Sequence, residues 1–414
     1  MVIQRFRPYF SGQGVQLESL CQALARQGVT STIVTARRAV GGPTEGRDTP
    51  ALEDADGYRV VRLRCDVPGL AFTGRATRWW TPIFGFRTER ALRRLAPDID
   101  LIHVHGLTDG LFGAWRAARR HDQPILFEMT LLGTDDPVAV SEKRQLFQHW
   151  RESIYRRCDG YVAMSEALAR RYRESGLPEQ RLRVIAQGVD TRRYAPADDR
   201  AESRRQLGLP GDGPLVAFVG SLIERKGIDV LLAAWERIHA AEPTARLLLV
   251  GKDRFPDDPA AERALDTASA RLSAGARERV VRTGLTPDPS AHLRAADVFV
   301  FPSRREGFGS VIIEAMACAL PCVVADLPGI TDTIFAEAAG LAAEVTPGCD
   351  GFVVPQAAPA ALADRALALI RSPELRRAVG ARARARALSE FDLDRIAAAY
   401  VEWYHACLAM PRAR

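Results

Sequence analysis

Short apolar, β-branched runs alternate with longer stretches in which apolar residues recur every three or four positions, and this alternation occurs twice along the chain. It predicts βαβ units built on parallel sheets, an α/β chain. In the first half the strands are expected at 2–6, 31–35, 58–63, 101–105, 124–127, 160–163 and 183–185, with helices between them such as 15–27. In the second half they are expected at 215–219, 246–250, 280–283, 298–301, 322–325 and 352–354. Each run is short and nearly all apolar, as in strands covered on both faces. Residues 194–214 carry Pro196, Asp198, Asp199, Pro210, Gly211, Gly213 and Pro214, punctuation that suits an interdomain connection. From about residue 392, Tyr400, Trp403 and Tyr404 recur at helical spacing, which predicts a last helix able to pack back on the first domain. The expected division is therefore 1–190, 191–390 and a terminal helix over 391–414. The run 2–6 opens abruptly, as though its strand lacked its first residues.

At 414 residues, 47% hydrophobic and 26% charged, each half is long enough to bury a core without metal or disulfide staples. The seven cysteines are scattered and form no paired Cys-x2-Cys sets, which fits a reducing, cytoplasmic address. No apolar run approaches the length of a spanning helix, and no signal sequence opens the chain. The net charge of +6 lies in the first half, where 28 basic face 22 acidic residues over 1–190. Only three of the 57 basic residues are lysines, and no basic run is interleaved with aromatics, so nucleic acid is not an expected partner.

Two segments carry the candidate chemistry. In VFVFPSRREGFGSVIIEAMACALP, over 298–321, an apolar strand ends at Pro302 and a loop carries Glu306, Gly307 and Gly309. Ser310 is then a natural N-cap for a helix whose first turns hold Glu314. Such loops lie at the carboxyl ends of parallel strands, where open α/β sheets bind ligands, and a helix start favours an anionic group. Taken alone, Glu314 also fits a helix-dipole partner, and Glu306 a solvated carboxylate. In VAFVGSLIERKG, over 216–227, a strand, Gly220 and a short loop bring Lys226 to the start of a helix near Ile228. That is a place for phosphate, although the Walker spacing is absent and a lysine there, taken alone, is more often a surface residue than a ligand.

Together and in this order, these segments resemble glycosyltransferase family 4, retaining enzymes that use nucleotide sugars. The resemblance rests on Glu-x7-Glu (Glu306 and Glu314) in SRREGFGSVIIEAMACALPCVVAD, on GLTPDPSAHLRAADVFVFPS and on GSLIERKGIDVLLAAW. In the first half it extends to RFRPYFSGQGVQLESLCQALARQGV, DLIHVHG, FEMTLLGTDDP and VIAQGVD, so that it covers roughly 1–405. It implies the GT-B fold, two facing Rossmann-like doubly wound domains that hold the donor between them. It also implies roles. Glu306 would contact donor-sugar hydroxyls and Glu314 the ribose diol, while the amides of Phe308, Gly309 and Ser310 would touch sugar or diphosphate, with Gly307 beside the donor. Lys226 would neutralise the diphosphate, with Gly220, Ser221, Arg225, Gly284 and Leu285 beside the donor. Gly12, Gln13 and Gly14 would form a glycine-rich loop approaching the donor from the first domain. His105 would be the acceptor-side histidine near the transferred sugar; a lone histidine at a strand end also fits a structural role. No cofactor and no metal are implied.

Some positions depart from the family pattern. Ser221 stands where an arginine is common, Gln187 replaces the asparagine of Asn-Gly-Val-Asp, and 336–348 looks longer than usual. The expected function is retaining transfer of a sugar from a nucleoside-diphosphate-sugar to a hydroxyl of a carbohydrate or lipid-linked acceptor, in bacterial surface polysaccharide or glycolipid synthesis. The alternatives are a silent sugar-nucleotide-binding subunit and a GT-B epimerase; a phosphorylase lacks a recognisable extra phosphate site. Trp79, Trp80, Ile83, Phe84 and Phe86, flanked by Arg75, Arg78, Arg87 and Arg90, suit either core packing or peripheral contact with an anionic membrane at the inner face.

Overall fold

The computed structural model describes residues 1–413 apart from 8–10, 38–48, 66–76, 144–147, 255–258, 337 and 340–347. The chain divides into two compact units, 1–188 with 393–414, and 189–392.

The first unit contains β1 (Ser31–Ala36), β2 (Leu52–Ala55), β3 (Tyr58–Leu63), β4 (Ile102–His105), β5 (Ile125–Met129), β6 (Gly160–Ala163) and β7 (Leu182–Val184). Its strands run β2-β3-β1 and β4-β5-β6-β7, parallel except for the β2–β3 pair. The strand expected at 2–6 reduces to its first residues. Val2 bridges Val34 of β1 and Val104 of β4, with the amide bonds Val2 N to His103 O (2.7 Å) and His105 N to Val2 O (2.9 Å). This short segment stitches the two groups of strands into one sequence of neighbours. It stops there because the backbone bends away after Ile3 toward the helix Gly12–Arg26.

That helix starts where the Ser11 hydroxyl accepts the Gly14 amide at 3.0 Å, and it buries Leu17, Leu20, Cys21 and Leu24 along one face. The terminal helix Leu393–Ala409 returns to this unit. Ile396, Ala397, Tyr400, Trp403, Tyr404 and Cys407 form one stripe against Leu20, Leu24, Leu126, Val162 and Ile185. Burying each large apolar side chain of the stripe stabilises the unit by roughly 1.5–3 kcal/mol. Gly160 lets the stripe in close, since a Cβ there would meet Cys407 Sγ at 2.6 Å.

The second unit contains β8 (Leu215–Val219), β9 (Arg246–Val250), β10 (Val280–Gly284), β11 (Val298–Phe301), β12 (Cys322–Ala325), β13 (Ala338–Ala339) and β14 (Gly351–Val354). All pair in parallel in the order β10-β9-β8-β11-β12-β14-β13. The order reverses between β8 and β11, which makes that edge the switch point of the sheet. The stretch 194–214 belongs wholly to this unit and is not the connection between the two. Its helix Arg200–Gln206 is pinned by Arg204, whose guanidinium donates to Ala295 O, Gly213 O and the Asp297 carboxylate. Loop-like punctuation concealed a buried anchor.

All seven cysteines are buried. Among the described residues no helix is long and apolar enough to cross a membrane.

Candidate functional site

In the second unit the loops after β8 and β11 are laced together at the switch point. Arg304 N donates to Arg225 O at 3.0 Å, Arg225 Nη1 donates to Arg305 O at 2.8 Å, and Arg304 grips Asp229 with two bonds of 2.8 and 2.7 Å. Gly227, at φ 73°, lies so close under Pro302 that a Cβ would meet its carbonyl oxygen at 2.0 Å. Any side chain there would push the two loops apart.

This lacing brings Lys226 to Glu306. The ammonium donates to Oε1 at 2.6 Å, the buried Ser303 hydroxyl donates to the same oxygen at 2.6 Å, and Arg225 Nη1 lies at 3.8 Å. Lys226 also sits over the Phe301 ring, 5.2 Å from its centroid. The expected pair is thus assembled, 80 residues apart in sequence. Ser303, which orients the carboxylate, escaped the sequence reading; its only signal was its place two residues past the strand end.

Ser310 is the first residue of the helix Ser310–Ala317 and not its cap. Gly309, at φ 91°, holds the cap position, because a left-handed residue turns the chain into the helix there. Phe308 points inward, edge-on to Phe391 at 5.9 Å, and Gly307 is buried. The amides of this turn remain the groups that head the helix.

Glu314 joins a different cluster. It is 7% exposed and interacts with Tyr194, Arg193 and Asp288, the last two paired at 3.0 Å. Burial raises its carboxyl to about 7, with Arg193 opposing and Asp288 adding to the rise.

Gly220, Gly251 and Gly284 end the adjacent strands β8, β9 and β10. A Cβ on Gly251 would meet Gly220 O at 2.1 Å, and the Gly251 amide donates to Gly284 O at 3.0 Å. The strand ends therefore form a bare backbone ledge, to which Gly251 is an addition. The Ser221 carbonyl accepts from Ile223, and Leu285 is exposed.

In the first unit Gly12, Gln13 and Gly14 are not a loop but the first turn of the helix capped by Ser11, because that hydroxyl supplies the bond a free amide would lack. His105 is 3% exposed at the end of β4, with Nδ1 3.3 Å from Glu128 Oε2. Glu128 and Tyr400, which join it, were not singled out in the sequence.

Of the aromatic patch, Phe84 is fully buried and Phe86 is 67% exposed; the side chains of Trp79 and Trp80 and all of Arg75 lie outside the described residues. Phe84 packs inward because Gly110 leaves room for its ring. Phe86, Glu89, Arg90, Arg93, Arg94 and His121 line an open cavity of about 460 Å³.

The family models for glycosyltransferase family 4 and for glycosyl transferases group 1 match residues 10–193 and 199–386. A D-inositol 3-phosphate glycosyltransferase of Kineococcus radiotolerans is 31% identical over 402 residues, covering 91% of this chain and 86% of its own. The chain belongs to glycosyltransferase family 4. A second protein of that name, from Xylanimonas cellulosilytica, is 30% identical and covers 95% and 91% of the two chains. Among solved structures, sucrose-phosphate synthase from Thermosynechococcus elongatus superposes with a TM-score of 0.76 at 27% identity, over 98% of this chain and 96% of that one. HepE from Anabaena, at 18% identity with a TM-score of 0.71 over 97% of each chain, shares the fold. This family 4 glycosyltransferase thus has the GT-B fold, with two Rossmann-like domains, and transfers a glycosyl group from a nucleotide-sugar donor.

Proposed function

We propose that this glycosyltransferase is a retaining hexosyltransferase, needs no metal, and acts on a hydroxyl of a carbohydrate or lipid-linked acceptor in bacterial surface polysaccharide or glycolipid synthesis. The observation that carries the reading is the Lys226 ammonium held at 2.6 Å from Glu306 at the switch point of the donor-binding fold, beside two helix starts. In the reaction the bond between the anomeric carbon and the β-phosphate oxygen breaks, its electron pair leaves with the nucleoside diphosphate, and the acceptor oxygen bonds to the same face. The departing phosphate oxygen takes the acceptor proton. Charge growing on that phosphate is met by Lys226 and by the amides heading the helices at Ile228 and Ser310, the fixed donors that do most to lower such a barrier.

When donor enters, its diphosphate replaces Glu306 as the partner of Lys226, and the freed carboxylate accepts from vicinal sugar hydroxyls. Ser303 keeps it oriented. Glu314 takes the ribose diol, and His105 takes a hydroxyl of the transferred sugar. The curated relatives are named for a phosphorylated cyclitol acceptor. The net basic charge of 1–190 and the Arg90, Arg93 and Arg94 groove suit an acceptor that is itself anionic or is presented at an anionic membrane.

Thermal stabilisation across UDP-, GDP- and ADP-sugars, followed by nuclear magnetic resonance of the product anomer with and without a chelator, tests the reading. One donor is expected to raise the melting temperature by several degrees and to give a product of unchanged anomeric configuration, with the chelator without effect. An inverted product, or a rate abolished by the chelator, would remove the corresponding claim. Flotation with anionic and neutral liposomes tests the membrane contact, and binding to neither would end it.

A further inference from the structure

The group around His105 is more elaborate than a sugar contact needs. Strand alternation puts His103 and His105 on one face of β4, their rings 4.0 Å apart, and the parallel register sets Glu128 of β5 opposite His105. The terminal helix adds two hydroxyls. Tyr400 donates to Glu128 Oε2 at 2.8 Å, and the Tyr404 hydroxyl lies 3.0 Å from His103 Nδ1. That same Oε2 is 3.3 Å from His105 Nδ1 and 3.4 Å from His103 Nε2. All five side chains are buried. Burial by itself would raise the Glu128 carboxyl, but the two imidazoles around it hold it well below the usual carboxylate range. Burial pushes His103 down to about 3, so that ring is neutral.

One side of the group is unfinished. His105 and Glu128 line a cavity of about 30 Å³ together with Gln13, Gln187 and Tyr400, its remaining wall being largely the apolar side chains of Leu17, Leu20, Leu393 and Ile396. Neither His105 Nε2 nor Gln13 Nε2 has a hydrogen-bond partner, and both atoms are buried. The Gln13 amide lies beside Gly106, the residue after His105, 3.4 Å from where its Cβ would be. Orphaned buried polar atoms of this kind mark a place for a polar ligand.

We infer that Glu128 is a positioning residue: it accepts the Nδ1–H of His105, locks the tautomer that leaves the lone pair on Nε2, and so shapes a seat for one substrate hydroxyl. In that seat the hydroxyl donates its proton to His105 Nε2 while its oxygen accepts from Gln13 Nε2. Donor and acceptor are matched, and a hydroxyl satisfies both orphaned atoms at once. A neutral imidazole in water prefers the other tautomer, so the carboxylate is what decides. Tyr400 holds the carboxylate in turn, which gives the returning terminal helix a part in the site. The two histidines and Glu128 could also surround a cation, their ligating atoms lying within 4.8 Å of one another. The hydrogen-bonded reading is favoured because Oε2 already receives the Tyr400 proton.

The inference rests on the reading that His105 meets the transferred sugar, and the experiment separates the two. Long-range proton–nitrogen spectra of imidazole-labelled protein should show His105 protonated at Nδ1. Glu128→Gln should shift it toward Nε2–H and lower kcat about tenfold with donor KM within twofold. Tyr400→Phe, which keeps the ring, should do both to a smaller degree and serves if the first variant fails to fold. An Nε2–H tautomer in the unaltered enzyme, or one equivalent of metal retained after purification, would overturn the positioning by Glu128. His105→Gln turning over at the full rate would instead sink the sugar contact, whatever the tautomer.

Discussion

The two units place polar chemistry at the same topological position and solve it in opposite ways. In the second unit, the switch point between β8 and β11 holds a carboxylate beside an ammonium. In the first, the edge between the Val2 segment and β4 leads to a carboxylate ringed by imidazole and hydroxyl groups. An ammonium can leave its carboxylate for a diphosphate, since one anion replaces another. A carboxylate satisfied by hydroxyl and imidazole donors has nothing to exchange and serves to orient. The contrast teaches that a shared sheet topology supplies the place, while the charge of the partner decides whether the group binds or positions.

The strongest way to break this contrast is Lys226→Ala. If the ammonium carries transition-state charge, kcat/KM for the donor should fall on the order of 10²–10³-fold, read by steady-state kinetics at fixed acceptor. A loss under threefold would leave the second unit's pair no more catalytic than the first unit's. The folding side of the same pair is next. With side chains only 16% and 9% exposed, removing one member strands the other, so Lys226→Ala or Glu306→Ala alone should cost up to about 3 kcal/mol. The double variant should cost clearly less than the sum, and additive denaturation midpoints would show that the two do not act as a pair.

Tyr400→Phe sharpens the other half of the comparison. It removes a buried donor from an ionised acceptor and should cost about 2 kcal/mol in chemical denaturation, with activity reduced rather than abolished.

The mildest expected effect concerns Glu314, which follows neither pattern. Its carboxyl is raised to about 7, and a ribose diol donates to the ionised form, so nucleotide binding should tighten about tenfold between pH 6 and pH 8 and release a proton. In folding the sign is opposite. This group's contribution is complete below its ordinary value of 4.5 and is lost as pH rises through about 7. Glu314→Gln should flatten both profiles in calorimetry and in melting, and an unchanged binding profile would remove Glu314 from the ribose.

Legibility followed sequence distance. Glu306, Gly309 and Glu314 lie within one strand, loop and helix, so their spacing marked a candidate site, although the structure seats Glu314 in a separate cluster. The Arg304–Asp229 bonds that bring Lys226 to Glu306 span 75 residues and carry no local mark. Ser303 looked like any loop serine. The family resemblance made Gly12 to Gly14 a loop, but the Ser11 cap made them a helix start. Residues 194–214 read as a connection because helix breakers outweighed one arginine whose buried bonds could not be foreseen.

From the residues alone came two α/β units, the strand-end loops that carry the candidate chemistry and a terminal helix with one apolar stripe. Periodicity and local motifs suffice for these, since each is a property of a few consecutive turns of chain. The partners of each charged group waited on the tertiary structure. Tyr400 reaches Glu128 across 272 residues, and whether a buried carboxylate meets an ammonium or a phenol depends on which distant element the packing brings to it.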